Sequence, residues 1–219
     1  MSAEPLLIQP LHDDRTLACE GRAVLELSMS RPHLAGEGTA VRRVERYYVR
    51  LCQSWLARWT GPLYRRACEA EEASLSAARP FTPWRASFTW SVTHSDEAAL
   101  SLCWEAVEEG DGQRRVCRRY DVWSWKDGRP LTLADVLPQR KGWRACVRKA
   151  LASQLEERSA RDPEEILPHW RAHLRRCVRA GHFYLSPEGP VVLAQPGMLC
   201  PARAGWCSFP LQGQNTPGL

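Results

Sequence analysis

The sequence predicts an α+β fold: an antiparallel β-meander sheet packed against several amphipathic helices. Three observations carry this. Apolar residues at 41, 44, 48, 51, 55 and 59 recur at three and four residues, the spacing of one helix face. Between Trp84 and Trp125 the apolar period becomes two, interrupted only by short polar turns. Beyond residue 140 helical spacing returns, followed by two apolar runs around "SPEG". The organisation expected is an N-terminal α/β half over 1–112 and a C-terminal half over 113–212 sharing the same core. A flexible tail is expected over 213–219, "NTPGL" with its preceding Gly and Gln.

In chain order, "TLACEGRAVLELSMS" (16–30) reads as one or two short strands broken near Gly21, and "RPHLAGEG" as a loop. A helix begins at Thr39, and Gly61-Pro62 is expected to stop or sharply kink it. A second helical stretch runs from Leu63 to about Ala78. The strand from Trp84 alternates Trp84, Phe88, Trp90 and Val92 with Ser87, Thr89, Ser91 and Thr93. "HSDE" turns the chain into Leu100, Leu102 and Trp104; "EEGDGQ" turns it again into a third strand, 114–125; "KDGRP" is the third turn. "ADVLP" suggests a short turn. Trp143, Val147, Leu151 and Leu155 define a helix, Asp162-Pro163 starts another segment, and Trp170, Leu174, Cys177 and Val178 form its stripe, with Gly181 as a C-terminal cap.

The chain has 219 residues, 44% hydrophobic and 25% charged, which is a globular and not a disordered composition. The start, "MSAEPLLIQPLHDDRTLACEG", reads as neither signal peptide nor membrane span, so no membrane and a cytoplasmic location are expected. Nine scattered cysteines without a CxxC fit reduced thiols better than a disulfide framework or a zinc ribbon.

Candidate chemistry is sparse. His169, His173 and Cys177 stand at i, i+4 and i+8, but "HWRAH" lacks the glutamate of HExxH and no fourth ligand is evident, so no metal and no cofactor are expected. Arg171, Arg175, Arg176 and Arg179 make the same helix basic. A charged outer face explains them without a nucleic acid, which is not the expected partner. Glu108, Glu109 and Asp111 read as solvated acids of a turn. No GxSxG elbow or cysteine-protease signature occurs, and no catalytic residue is assigned. The better candidate is a binding face. Ser87, Thr89, Ser91, Thr93 and Ser101 line one side of the sheet if Phe88, Trp90, Leu100, Leu102 and Trp104 point inward. Trp123 and Trp125, two residues apart, can join either side.

"YDVWSWKDGRPLTLADVL" and "HFYLSPEGPVVLAQPGMLCPARAG…FPL" resemble the ectodomain of RsiV-like anti-sigma factors. The same domain of unknown function accompanies some peptidoglycan deacetylases of the PdaC type. The matching positions include Phe183, Tyr184, Leu185, Gly189, Val191, Leu193, Pro196, Pro201, Gly205 and Pro210. The resemblance is strong over 118–211 and weaker before, where "RPHLAG" and the following helix are similar to the family's N-terminal half. "EEGDGQRR" replaces a Gly-Gly-Ala-His-Gly-like loop, Ser124 stands where an aspartate is usual, and Gly197-Met198 where Tyr-Glu is. The resemblance implies an α+β binding domain. Lysozyme, the ligand of RsiV-like proteins outside the cell, is not expected for a chain without an export signal.

The expectation is therefore a non-catalytic module for an unknown protein or small ligand. Two alternatives stay open. One is a cell-wall-related hydrolase or accessory enzyme domain gathering residues such as His94, Asp96, Glu105 or Asp121. The other is nucleic-acid binding through the Arg-rich helix, 169–179.

Overall fold

The computed structural model describes residues 7–137, 141–178 and 182–211. The tail at 213–219, Arg179 and the Gly181 cap lie outside them. The architecture is α+β. A five-stranded sheet has the order β1 (Leu7–Cys19), β2 (Arg22–Ala35), β3 (Trp84–Ser95), β4 (Ala99–Gly110) and β5 (Gln113–Ser124). A three-stranded sheet comprises β6 (Phe183–Ser186), β7 (Gly189–Ala194) and β8 (Cys207–Pro210). The helices are α1 (Thr39–Arg58), α2 (Tyr64–Ser76), α3 (Leu133–Val136), α4 (Trp143–Arg161) and α5 (Trp170–Cys177). Among the described residues, no helix is long and apolar enough to cross a membrane.

Two compact units arise, each from separated chain segments. The first holds the chain up to Ser91 with Cys103–Arg119 and Lys126–Arg129. The second holds Val92–Leu102, Tyr120–Trp125 and Pro130 onward.

The meander over β3–β5 forms as expected, but three features of the first unit depart from the sequence reading. The N-terminal strands are long and make one hairpin around Glu20-Gly21, pairing from Cys19↔Arg22 to Leu7↔Ala35, with Pro10 opposite Pro32. Residues 31–35 are thus strand and not loop. The reason lies on α1. Glu45 accepts from Arg31 Nη1 (2.5 Å) and from the Leu34 backbone N–H (2.9 Å), and stands 3.1 Å from His33 Nδ1. Next, β2 and β3 pair in parallel, Leu25↔Trp84 to Met29↔Phe88, so the helices between them form a crossover connection. Finally, Gly61-Pro62 does not end the helix. A π turn, Trp59–Leu63, joins α1 to α2. A proline ring clashes with the carbonyl four residues back in an α turn, and the wider turn accommodates it.

The core of the first unit lies between these helices and one sheet face. Leu25, Leu27 and Met29 of β2 and Trp84, Ala86 and Phe88 of β3 are buried there, with Val44, Tyr48 and Trp59 from the helical side. Phe88 stacks on Trp104 (5.5 Å), which meets Trp55 edge-on (6.5 Å), and Trp55 contacts Trp59 (5.8 Å). Glu108 was read as a solvated turn acid, but β4 runs on to Gly110 and carries it inward. Its carboxylate accepts from Arg58 Nε (2.5 Å), Arg58 Nη2 (2.7 Å) and the fully buried Trp59 indole (3.2 Å). Gly110 faces the Trp84 ring, where a Cβ would lie 2.3 Å from the nearest ring carbon. Gly128 (φ +65°) sits where a Cβ would lie 2.7 Å from the Ala40 carbonyl oxygen.

The second unit has its own core, built from Trp143, Val147, Leu151 and Leu155 of α4, Trp170 and Leu174 of α5, and Phe183, Leu199 and Phe209. The "ADVLP" turn is α3, closed by a capping box between Thr132 and Asp135. Asp162 caps the Pro163–Glu165 turn as expected, accepting from Glu164 N (2.9 Å). Gln154 and Arg158 donate to the Pro210 and Ser208 carbonyls (2.8 and 2.9 Å), tying α4 to β8.

Three consequences follow for stability. Glu108→Ala leaves the buried Trp59 N–H without an acceptor and should cost about 2 kcal/mol. The partly exposed Arg58 regains water, which limits the loss. Glu108→Gln keeps an acceptor for the indole and should cost less; denaturant midpoints distinguish the two. Gly128→Ala meets backbone and should cost at least about 2 kcal/mol in the same measurement.

For both Glu45 and Glu108, burial pushes the carboxyl up, but their arginines and N–H donors outweigh it and hold each below its ordinary value. Their contribution is therefore complete above the unfolded glutamate value, about 4.3, and is lost as pH falls through the lowered folded values. The thermal midpoint should decline below about pH 4, and a Glu45→Gln/Glu108→Gln variant should show a shallower decline.

Candidate functional site

Once Phe88, Trp104 and Glu108 turn toward the helices, period-two alternation sends their neighbours to the opposite face of the sheet. In the first unit this face is an ordered polar surface. β2 and β3 bring Glu26 beside Arg85 and Ser28 beside Ser87 in register. Arg85 Nε lies 3.0 Å from Glu26 Oε2. On β4 and β5, Glu105 pairs with Arg118 (2.5 Å) and Glu109 with Arg114 (2.8 Å). Antiparallel spacing between those two pairs places Val107 beside Val116, and Val116 is 44% exposed.

A groove of about 340 Å³ lies along this face, with Ser28, Ser87, Thr89, Glu105 and Val107 among its lining. Its three carboxylates, Glu26, Glu105 and Glu109, each carry an arginine partner. The charges therefore cancel along the groove, and hydroxyls fill the middle. Such a surface can hydrogen-bond a polar, uncharged ligand without paying to desolvate a lone charge.

The residues expected at the site are placed as follows. Ser87 is half-buried and Thr89 exposed, and both line the groove. Ser91 is exposed further along β3 and belongs to the same unit. Thr93 and Ser101 were expected on the same hydroxyl face but serve the interior of the second unit. Thr93 Oγ1 donates to Ser101 Oγ (2.7 Å), and the fully buried Ser101 also accepts from Leu185 N of β6 (3.1 Å). The second sheet, whose "SPEG" hairpin the sequence marks without showing where it packs, is what covers Ser101. Trp123 is 5% exposed, so its ring is a core ring. Trp125 is half-buried and donates its backbone N–H to Ala98 O (2.9 Å). Glu26 and Ser28 were missed as groove residues. The alternation in "LELSMS" was the available signal, and only the parallel pairing with β3 gives it meaning.

The residues weighed for other chemistry have structural partners. His94 Nε2 lies 2.9 Å from Asp96 Oδ2, while Asp96 Oδ1 accepts from the Ala98 and Ala99 N–H groups (2.8 and 2.7 Å) and closes the β3–β4 turn. Burial raises the Asp96 carboxyl, but His94 and these two N–H groups outweigh it and hold it low, as an anion. Asp121 is half-buried on β5 in the second unit, and Glu105 belongs to the first. On α5, Cys177 is buried 4.0 Å from Met198 Sδ, whereas His169 is exposed. Among the described residues, no three His, Cys, Asp or Glu side chains cluster to hold a metal ion. Arg171 pairs with Glu156 (2.9 Å) and lies over the Trp170 ring; Arg175 and Arg176 are exposed.

Neither a family model nor a curated protein sequence matches the chain. Solved structures similar in fold include two of the DUF3298 family. One is a member of the DUF3298 family from Bacteroides fragilis, with TM-score 0.68 and 11% identity, covering 94% of this chain and 90% of that one. The other is a DUF3298 family protein from Pseudomonas aeruginosa, with TM-score 0.59 and 12% identity, covering 95% of this chain and 91% of that one. At this identity the likeness is one of fold: the chain has the α+β architecture seen in members of the DUF3298 family.

Proposed function

We propose that the protein is a non-catalytic ligand- or protein-binding module of the RsiV-like type, and that its ligand lies in the groove of the first unit. The observation that carries this reading is the groove's own chemistry. Its volume is in the range of small-molecule and peptide-side-chain sites. Its acids are each paired with an arginine, which occupies the lone pairs a general base would use. The fold shared with DUF3298 family members, whose domain is related to the RsiV type, supports the family assignment. Nine scattered cysteines without a CxxC support a reducing, intracellular setting. Balanced charge with central hydroxyls favours a neutral, hydrogen-bonding ligand, such as a sugar or an extended peptide backbone.

The test is affinity capture from the host's lysate with the wild-type chain and with Thr89→Arg, followed by mass spectrometry. Thr89 is exposed, so the variant should keep the wild-type unfolding midpoint to within about 0.5 kcal/mol. It should lose the retained ligand, by at least tenfold in signal, because the new side chain fills the groove. Equal retention by both proteins, or conversion of the ligand into a product, would overturn the reading.

A further inference from the structure

Tyr64, Cys68 and Glu71 are three and four residues apart on α2 and share one face. The two outer members grip the turn end of the β1–β2 hairpin. Tyr64 Oη donates to the Ala18 carbonyl (2.8 Å), and Arg22 Nε lies 2.5 Å from the buried Glu71 carboxylate. Cys19 is the register partner of Arg22 across the Glu20-Gly21 turn. These two contacts set Cys68, between Tyr64 and Glu71 on the same helix face, against the Cys19 end of the hairpin, where it is the foremost influence on the Cys19 thiol. Both cysteines are half-buried, open to a small reagent. A second pair of neighbouring thiols, Cys200 and Cys207, has Cys200 only 3% exposed, and burial pushes that thiol up to about 12.

From this juxtaposition we propose that Cys19 and Cys68 form a reversible dithiol–disulfide pair that fastens the hairpin to α2. The oxidant is a low-molecular-weight disulfide, RSSR. One cysteine loses its proton and its sulfur attacks RSSR, breaking that S–S bond and releasing RS⁻, which takes up the proton. The second cysteine then loses its proton and attacks the protein-side sulfur of the mixed disulfide, expelling a second RS⁻ that is protonated in turn. The protein gives up two electrons and two protons, and RSSR leaves as two RSH. Cys68 beside it, burial, and Glu20 and Glu71 all hold the Cys19 thiol above its ordinary value, which slows its attack on dilute oxidant. The bridge would close a loop of about 50 residues, long enough to stabilise the folded state appreciably.

The experiment incubates the reduced, full-length chain with oxidised glutathione under native conditions, alkylates the remaining thiols, and maps the linkages by mass spectrometry. A Cys19–Cys68 peptide should be the dominant linkage. The thermal midpoint should rise by about 5 °C or more and return on reduction. In Cys68→Ser, Cys19 should stop at the glutathione adduct and the midpoint should stay at its reduced value. Glutathione adducts on both cysteines of the wild-type chain without their joining, or a Cys200–Cys207 linkage formed first, would overturn the proposal. The wild-type mapping stands whether or not the variant folds.

Discussion

The inward carboxylate of Glu108 fixes the geometry of the first unit. An ionised carboxylate that is nearly buried must have charge-assisted partners, and Glu108 finds three donors at the end of α1 and the start of the π turn. With Glu108 inward, the period of two puts Ala106 and Trp104 inward as well, and Glu105, Val107 and Glu109 outward. A slip of one residue would bury the acids of the groove and expose the tryptophan. The same carboxylate thus orients the helices and determines which side chains make the groove floor. Glu45 plays the matching part at the other end, holding the last residues of β2 to α1.

Local periodicity made a good share of this legible. The helix from Thr39, the three meander strands, the α4 stripe and the Asp162 cap are each written in a few consecutive residues, and each formed. What the sequence reading lost was what depends on distant partners. Residues 31–35 carry a proline and look like loop until Glu45 and Pro10 are brought alongside. The π turn is a response to Pro62 that keeps two helices in one run, where a proline alone suggests a break. The "SPEG" hairpin is legible locally and forms, but the parallel β2–β3 pairing and the place of that hairpin in a sheet of its own are long-range choices that leave no mark in a short window.

The groove shows the same division. Alternation was enough to put Ser87 and Thr89 on one face and Phe88 on the other. It could not say that Ser101, further along the same pattern, is sealed by the backbone of Leu185, with Thr93 donating to it. Nor could it say that Trp123 is a core ring, since burial of a tryptophan depends on what the rest of the chain lays over it. The likeness to the DUF3298 structures at 11% and 12% identity fits this picture, in which alternation, turns and a few buried polar anchors define a fold with little requirement on particular residues.

β1 has a neighbour on one side in its sheet, and its other backbone edge is a place where a further strand could add. Its sequence works against that. Pro10 has no N–H to offer, and Asp13, Asp14 and Arg15 follow in succession, with Arg15 and Asp13 paired at 2.6 Å. A stretch whose proline and charges cost it the look of a strand is built to be the last strand. The features that hide β1 from a reader of the sequence also hide it from other chains, and they keep a 13-residue ribbon of backbone from becoming a template for assembly.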